Sequence, residues 1–172
     1  MPEAAASDIA EGIVKSLSAQ RKTITAAESC TGGMAADLIV RVPGASKVFW
    51  GSFVSYTEDA KMKMLGIPGN LIKEFGAVSC QVASAMAEGA LKKSGASWAF
   101  AVTGLAGPAG DDDETAVGTV WISVAGVKEK DADNLETEAK MFLFEGDRNA
   151  VREKAAIAAL EMVLKRINDP EI

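Results

Sequence analysis

Apolar residues recur at four-residue spacing at Ile9, Ile13 and Leu17, behind Ser7. That spacing predicts a helix over 7–20, with Ser7 as its N-cap. Runs rich in Val, Ile, Thr and aromatic residues follow at 23–28, 47–56, 97–103, 117–125 and 136–144, and read as strands. Between and after them, helical patterns occupy 32–41, 57–65, 69–75, 79–94 and 147–167. Thr57, Ser79 and Asp147 are placed to cap three of these helices, and Gly66 and Gly95 to end two. On the last helix Val151, Ala155, Ala158 and Met162 share one face. Strands interleaved with helices predict an α/β layered fold with a largely parallel sheet. The runs 117–125 and 136–144 are joined by a polar loop, VKEKDADN, with no helix between them, so they should pair antiparallel and make the sheet mixed. In such sheets sites gather at the carboxyl ends of strands. Segments 28–33, 56–61 and 103–110 fall there.

Bulk properties narrow the chemistry. A chain of 172 residues is enough for one domain with a proper core. Apolar runs end well short of a membrane span, and MPEAAASDIAEG lacks the features of a signal peptide, so the expectation is a soluble, cytoplasmic protein with no membrane partner. A net charge of −6 argues against nucleic-acid binding, which needs a basic face. Two cysteines, Cys30 and Cys80, do not make a disulfide framework. The most restrictive number is the histidine count, which is 0. It removes Ser-His-Asp and Cys-His mechanisms and makes a zinc site improbable. Acid–base work near neutrality then needs a perturbed carboxylate, lysine, tyrosine or thiol.

Four segments could supply it. In Glu28-Ser29-Cys30-Thr31-Gly32-Gly33 a hydroxyl and backbone N–H groups could face one ligand at a strand-to-helix turn; equally, Ser29 or Thr31 could simply cap the helix, and Cys30 could be a small buried apolar residue. In Tyr56-Thr57-Glu58-Asp59-Ala60-Lys61, a lysine near a helix start has its charged form disfavoured by the macrodipole, although a solvated lysine paired with Glu58 or Asp59 fits the same letters. Tyr56 is the one tyrosine. The run Thr103-Gly104-Leu105-Ala106-Gly107-Pro108-Ala109-Gly110 allows backbone to approach a ligand, or forms a plain turn. Asp111 to Glu114 could bind a divalent ion, but such a run is usually solvated, so no metal is expected. Arg148, at the start of the last helix, suits a phosphate or a surface salt bridge.

Taken together, AESCTGG at 27–33, Tyr56 with Lys61, TGLAGP at 103–108, VGTVW at 117–121 and GDRNAVR at 146–152 resemble the CinA C-terminal domain family over nearly the whole chain. The resemblance implies a three-layer α/β/α fold with a mixed, mostly parallel five-stranded sheet, in one domain over 1–172. It implies hydrolysis of nicotinamide mononucleotide to nicotinic acid mononucleotide and ammonia. By carry-over Ser29 is the nucleophile and Lys61 its base, with Tyr56 beside them. Glu28, Thr31, Gly32 and Gly33 line the site, and Thr103, Gly104, Gly107 and Arg148 hold the nucleotide. A Ser-Lys pair activates serine without histidine. No metal or organic cofactor is implied, and a homodimer is. Many relatives carry a further N-terminal domain, which this chain is expected to lack. The sequence departs from the family at Thr115-Ala116, where Lys-Pro is common, next to the substrate-entry loop. The competing expectations are a nucleotide-binding regulatory module of the same fold, and a Cys30 thiol enzyme.

Overall fold

The computed structural model describes residues 2–109, 115–127 and 135–169. Five strands form one sheet in the order β2-β1-β3-β4-β5. Strand β1 (Ile24–Glu28) is an interior strand, buried at every position. Strands β2 (Phe49–Val54) and β3 (Trp98–Gly104) flank it, both parallel to it. Strand β4 (Thr119–Val127) runs antiparallel to β3, and β5 (Leu135–Leu143) antiparallel to β4. Strand β4 alone therefore opposes the rest, and the mixed, mostly parallel sheet is as expected. So is the antiparallel pairing of the last two strands.

Side-chain alternation along β1 divides the core in two. Ile24 and Ala26 face a layer built from α1 (Pro2–Gln20), α2 (Met34–Val40) and α6 (Arg148–Asn168). Ala27 faces the opposite layer of α3 (Glu58–Leu65), α4 (Gly69–Phe75) and α5 (Cys80–Ser94). The result is three layers. On the second face the sheet presents alanines, Ala27, Ala99, Ala101 and Ala125, so α5 can settle close to it.

Helix ends follow the local chemistry. The hydroxyls of Thr57, Ser79 and Asp147's carboxylate accept from Ala60, Val82 and Ala150 backbone N–H groups at 3.1, 3.2 and 2.9 Å. Gly66 and Gly95 close α3 and α5 in the left-handed conformation. Two expectations need correction. Ser7 is not an N-cap: α1 begins at Pro2, a residue suited to a first helical turn, and the Ser7 hydroxyl donates to Glu11 instead. The strand expected from residue 47 begins at Phe49, because Ala45–Lys47 form a single 3-10 turn. The acidic run at 111–114 and the loop at 128–134 lie outside the described residues. No helix among the described residues is long and apolar enough to cross a membrane.

The parallel trio fixes where chemistry can happen. Glu28 pairs in register with Val54 on one side and Val102 on the other. One residue on, Ser29 N–H donates to Val102 and Ser55 N–H to Glu28, each at 2.9 Å. Ser29, Ser55 and Thr103 therefore emerge side by side at one end of the sheet.

Helix α5 also sets the seat of α3. A Cβ built on Gly89 would stand 2.4 Å from the Leu65 carbonyl oxygen, which is backbone and cannot yield. On Gly12 a Cβ would meet only the Leu164 side-chain end at 3.2 Å. Gly89→Ala should therefore lower stability by ~1–3 kcal/mol through overpacking, despite its better helix propensity. Gly12→Ala should be neutral or stabilising by up to ~1 kcal/mol. Urea denaturation midpoints of the two variants check this, and a stabilised Gly89→Ala would contradict the packing.

Candidate active site

The site is built on a buried carboxylate. Glu28 ends β1, is fully buried, and turns toward α2. Its two oxygens accept from the Thr31 hydroxyl at 2.7 Å, from the N–H groups of Gly33, Ala35 and Ala36 at 2.9, 3.1 and 2.9 Å, and from Ser52 at 3.4 Å. Helix α2 has no cap from its own N-cap residue, Gly33. Glu28 supplies that cap from upstream, with its charge against the positive end of the helix. The turn between is tight. Gly32 N–H donates to the Ser29 carbonyl at 3.0 Å, and Gly32 and Gly33 have φ of 63° and 96°, which glycine adopts without strain.

Alternation sends Ser29 the other way, toward α3. There the Lys61 ammonium donates to Ser29 Oγ at 2.8 Å and to the Ser55 carbonyl at 3.0 Å. The Tyr56 carbonyl lies 3.5 Å from Ser29 Oγ, too far for a strong bond. Lys61 is only 2% exposed. Burial lowers its pKa from the ordinary lysine range to about 8, while the Cys30 sulfur and the Glu58 carboxylate pull it upward. The direction expected from its place near a helix start holds, with burial as its first cause. Burial likewise pushes the Cys30 thiol up to about 11, so near neutrality Cys30 is a protonated, weakly nucleophilic thiol.

An open cleft of about 350 Å³ leads down to this pair. Ser29, Cys30 and Lys61 line it, with Tyr56, Thr57 and Glu58 from the β2–α3 junction and Ala77 and Val78 from the α4–α5 loop. Thr103, Gly104, Leu105, Ala106, Gly107 and Ala109 form another wall, and Arg148 the rim. The Thr103 hydroxyl donates to the Ala77 carbonyl at 2.8 Å and ties two walls together. Arg148 does the same across the mouth, donating to the Gly107 carbonyl and the Tyr56 hydroxyl, both at 2.6 Å.

Several expected contacts are not where the sequence suggested. Glu28 and Thr31 are fully buried and do not line the cleft with their side chains. Their polar atoms are spent on each other and on α2. Gly32 and Gly33 do not line it either, and their N–H groups already have acceptors in Ser29 and Glu28. The upward push of burial on the Cys30 thiol is opposed in part by the backbone N–H groups of Cys30 and Thr31. Gly104 has a packing duty besides: a Cβ there would stand 2.7 Å from the Thr119 carbonyl oxygen. Tyr56 presents its carbonyl, not its hydroxyl, to Ser29. Sequence reasoning assigned nothing to Arg152, which donates to the Cys30 and Thr31 carbonyls at 3.1 and 3.0 Å. Its one signal was its place one helical turn after Arg148 in GDRNAVR. Among the described residues no group of three His, Cys, Asp or Glu could hold a metal ion.

The family model for the CinA C-terminal domain matches residues 6–167. The chain belongs to the CinA C-terminal domain family. It is 44% identical over 160 residues to a CinA-like protein of Akkermansia muciniphila, covering 93% of this chain and 37% of that one. Against a CinA-like protein of Thermotoga maritima the identity is 40% over 161 residues, covering 94% of this chain and 38% of that one. The chain thus spans little more than a third of the length of these curated relatives. Among solved CinA-type structures, a competence/damage-inducible protein of Agrobacterium tumefaciens superimposes with a TM-score of 0.85 at 36% identity, covering 96% of both chains. A CinA superfamily protein of Escherichia coli gives 0.86 at 32% identity, covering 93% of this chain and 89% of that one.

A buried lysine at the heart of this CinA domain has a thermodynamic signature. In the folded protein Lys61 loses its proton near pH 8, while in the unfolded chain it keeps it to about pH 10.4. Between those values the unfolded chain binds the extra proton, so stability gains with rising pH; below about pH 8 the full penalty, ~3 kcal/mol at ~1.4 kcal/mol per unit, weighs on the fold. Denaturant unfolding from pH 7 to 10 should therefore show wild type gaining on Lys61→Met as pH rises. Parallel stability curves would mean that Lys61 is not depressed.

Proposed function

We infer that the chain is an amidohydrolase that converts nicotinamide mononucleotide and water to nicotinic acid mononucleotide and ammonia. The observation that carries this reading is the buried 2.8 Å contact between Lys61 Nζ and Ser29 Oγ in a sequence with a histidine count of 0. A lysine with a pKa near 8 is neutral often enough to take a proton at physiological pH. Its bond to the Ser55 carbonyl survives deprotonation, because a neutral amine still has two N–H donors, and the lone pair then faces Ser29.

The reaction follows in two halves. Neutral Lys61 removes the Ser29 hydroxyl proton as Oγ bonds to the carboxamide carbon. The carbonyl electron pair moves onto oxygen, which takes hydrogen bonds from the N–H groups of Cys30 and Thr31. Lys61 returns its proton to the amide nitrogen, the C–N bond breaks, and ammonia leaves an acyl ester on Ser29. Water, deprotonated by Lys61, then attacks the ester; Ser29 regains a proton and the carboxylic acid departs. Tyr56 is not a relay in this scheme, since it turns its carbonyl toward Ser29 while its hydroxyl accepts from Arg148 at the mouth. No metal or organic cofactor takes part.

Arg148 and the glycine loop are the groups for the phosphate. Among the described residues the hydrogen-bond partners of Arg148 are a carbonyl and a phenol, with no carboxylate bonded to it at the cleft mouth. The cytoplasmic location expected from the sequence and the homodimer implied by the family resemblance belong to this reading, the latter open to sedimentation equilibrium.

Ammonia release from nicotinamide mononucleotide is the direct test. Ser29→Ala should abolish it with the fold intact, and Lys61→Arg should do the same, because guanidinium does not deprotonate in this range. Cys30→Ala should keep most activity. Binding without turnover in wild type would favour a regulatory module, and an inactive Cys30→Ala beside an active Ser29→Ala would make Cys30 the nucleophile.

The phosphate assignment has its own readout. A charge-assisted contact contributes ~1.5–3 kcal/mol, so Arg148→Ala should lower kcat/KM for the mononucleotide about tenfold to a hundredfold. Turnover of the phosphate-free riboside should change much less. Equal losses would make Arg148 a brace for the cleft walls only.

A further inference from the structure

Arg152 has no part in the scheme above, yet it grips the backbone of the nucleophile's own turn. Its Nε donates to the Cys30 carbonyl at 3.1 Å and its Nη2 to the Thr31 carbonyl at 3.0 Å. Asn149, three residues back on α6, accepts from Nη1 at 3.3 Å and steadies the guanidinium. The fork thus spans two consecutive peptide groups.

A trans peptide is rigid and planar, and its C=O and N–H point in opposite directions. The Cys30 carbonyl belongs to the same peptide group as the Thr31 N–H. Holding the one toward α6 therefore aims the other away from α6. The Thr31 carbonyl shares its plane with the Gly32 N–H, which closes the turn onto the Ser29 carbonyl at 3.0 Å. A cation on a carbonyl oxygen also draws electron density from the peptide and makes its N–H a stronger donor. Both effects converge on the Thr31 N–H, while the Gly32 and Gly33 N–H groups are already consumed within the turn.

We propose that Arg152 is the positioning residue of the oxyanion site: by clamping the Cys30 and Thr31 carbonyls it orients and polarises the Thr31 N–H toward the oxygen of the tetrahedral intermediate. This rests on the amidohydrolase reading. It adds that an arginine outside the cleft governs the step after Lys61 has taken the proton. Its effect belongs to the transition state, not to binding of the mononucleotide. Lysine, a point donor, can serve one carbonyl but not bridge both as the planar fork does.

The test separates ground-state from tetrahedral-state binding. Arg152→Ala and Arg152→Lys are compared with wild type for kcat and KM on nicotinamide mononucleotide. Affinity is measured for two probes, the product nicotinic acid mononucleotide and the 3-formyl analogue of the mononucleotide, whose aldehyde carbon forms a hemiacetal with Ser29. Losing one oxyanion donor outright costs about 10²–10³ in kcat, so loosening one should cost about tenfold to a hundredfold. The expected result for Arg152→Ala is that loss in kcat, a matching loss of affinity for the aldehyde, and KM and product affinity within about twofold of wild type, by the rule that only transition-state contacts raise kcat. Arg152→Lys should recover part of both losses. The acid limb of the pH profile, set by Lys61, should not move. Equal weakening for product and aldehyde, a displaced acid limb, or an unchanged kcat would each overturn the proposal. A wild type that releases no ammonia would instead sink the amidohydrolase reading; should the aldehyde still bind it, the Arg152 comparison on that probe stands.

Discussion

The arrangement depends on one ion that never meets solvent, the Glu28 carboxylate. Burying an isolated carboxylate is prohibitive, so it must be met by donors on every side. Here three backbone N–H groups and two hydroxyls converge on it. The same contacts that make its burial tolerable fix the start of α2, the course of the turn at 29–33 and, through Ser52, the edge strand β2. Because adjacent strand residues point to opposite faces, an anchor at Glu28 directs Ser29 toward the other layer. The position of Ser29 is thus a consequence of where its neighbour is tied down.

Lys61 sits across the sheet end under the opposite pressure. Its amine is buried without a carboxylate in hydrogen-bonding contact, and its acceptors are a hydroxyl and a carbonyl. A bonded anion would stabilise the charged form and raise the pKa; neutral acceptors satisfy the N–H groups without doing so. The fold carries the desolvation cost, and what it gains is an amine whose pKa falls from the ordinary lysine range to about 8. Helix α3 is short, capped by Thr57 and closed by Gly66, and held against α5 at Gly89, so the long side chain has a fixed base from which to reach Ser29.

Much of this was legible in the letters. Element order, five of the helix ends and the antiparallel final pair follow from periodicity and from cap and glycine chemistry, which are local. The Ser29–Lys61 contact was legible only through the family resemblance, because 32 residues and a strand crossover separate the two. What misled was the assumption that polar residues clustered at a strand end all face a ligand. Glu28 and Thr31 face each other, and Gly32 and Gly33 spend their N–H groups closing the turn. No pattern in one strand reveals which side a terminal carboxylate will take, since that depends on where the next helix begins. Ser7 misled for a simpler reason: a good capping residue inside a longer helix is only a tolerated one. Arg152 was invisible because its acceptors are main-chain carbonyls, and these leave no trace in the sequence of the segment they belong to.

Helix α6 brings the remaining pieces into relation. Arginines near a helix N-terminus work against the macrodipole, at ~0.3–1 kcal/mol each. Arg148 and Arg152 nevertheless occupy its first two turns, and neither bonds a carboxylate among the described residues. Their partners are carbonyls from the glycine loop and from the nucleophile's turn, with a phenol and an amide. Carboxylates would have held the helix more firmly, but they would also have cancelled the charge. Neutral acceptors fix both side chains and leave the cationic field intact, one guanidinium at the cleft mouth and the other behind the turn. Because both extend from one rigid helix packed on the first layer of the core, the mouth of the cleft and the backbone beside Ser29 hold a fixed distance from each other. In the proposed reaction, substrate held by Arg148 would thereby be presented to a turn held by Arg152.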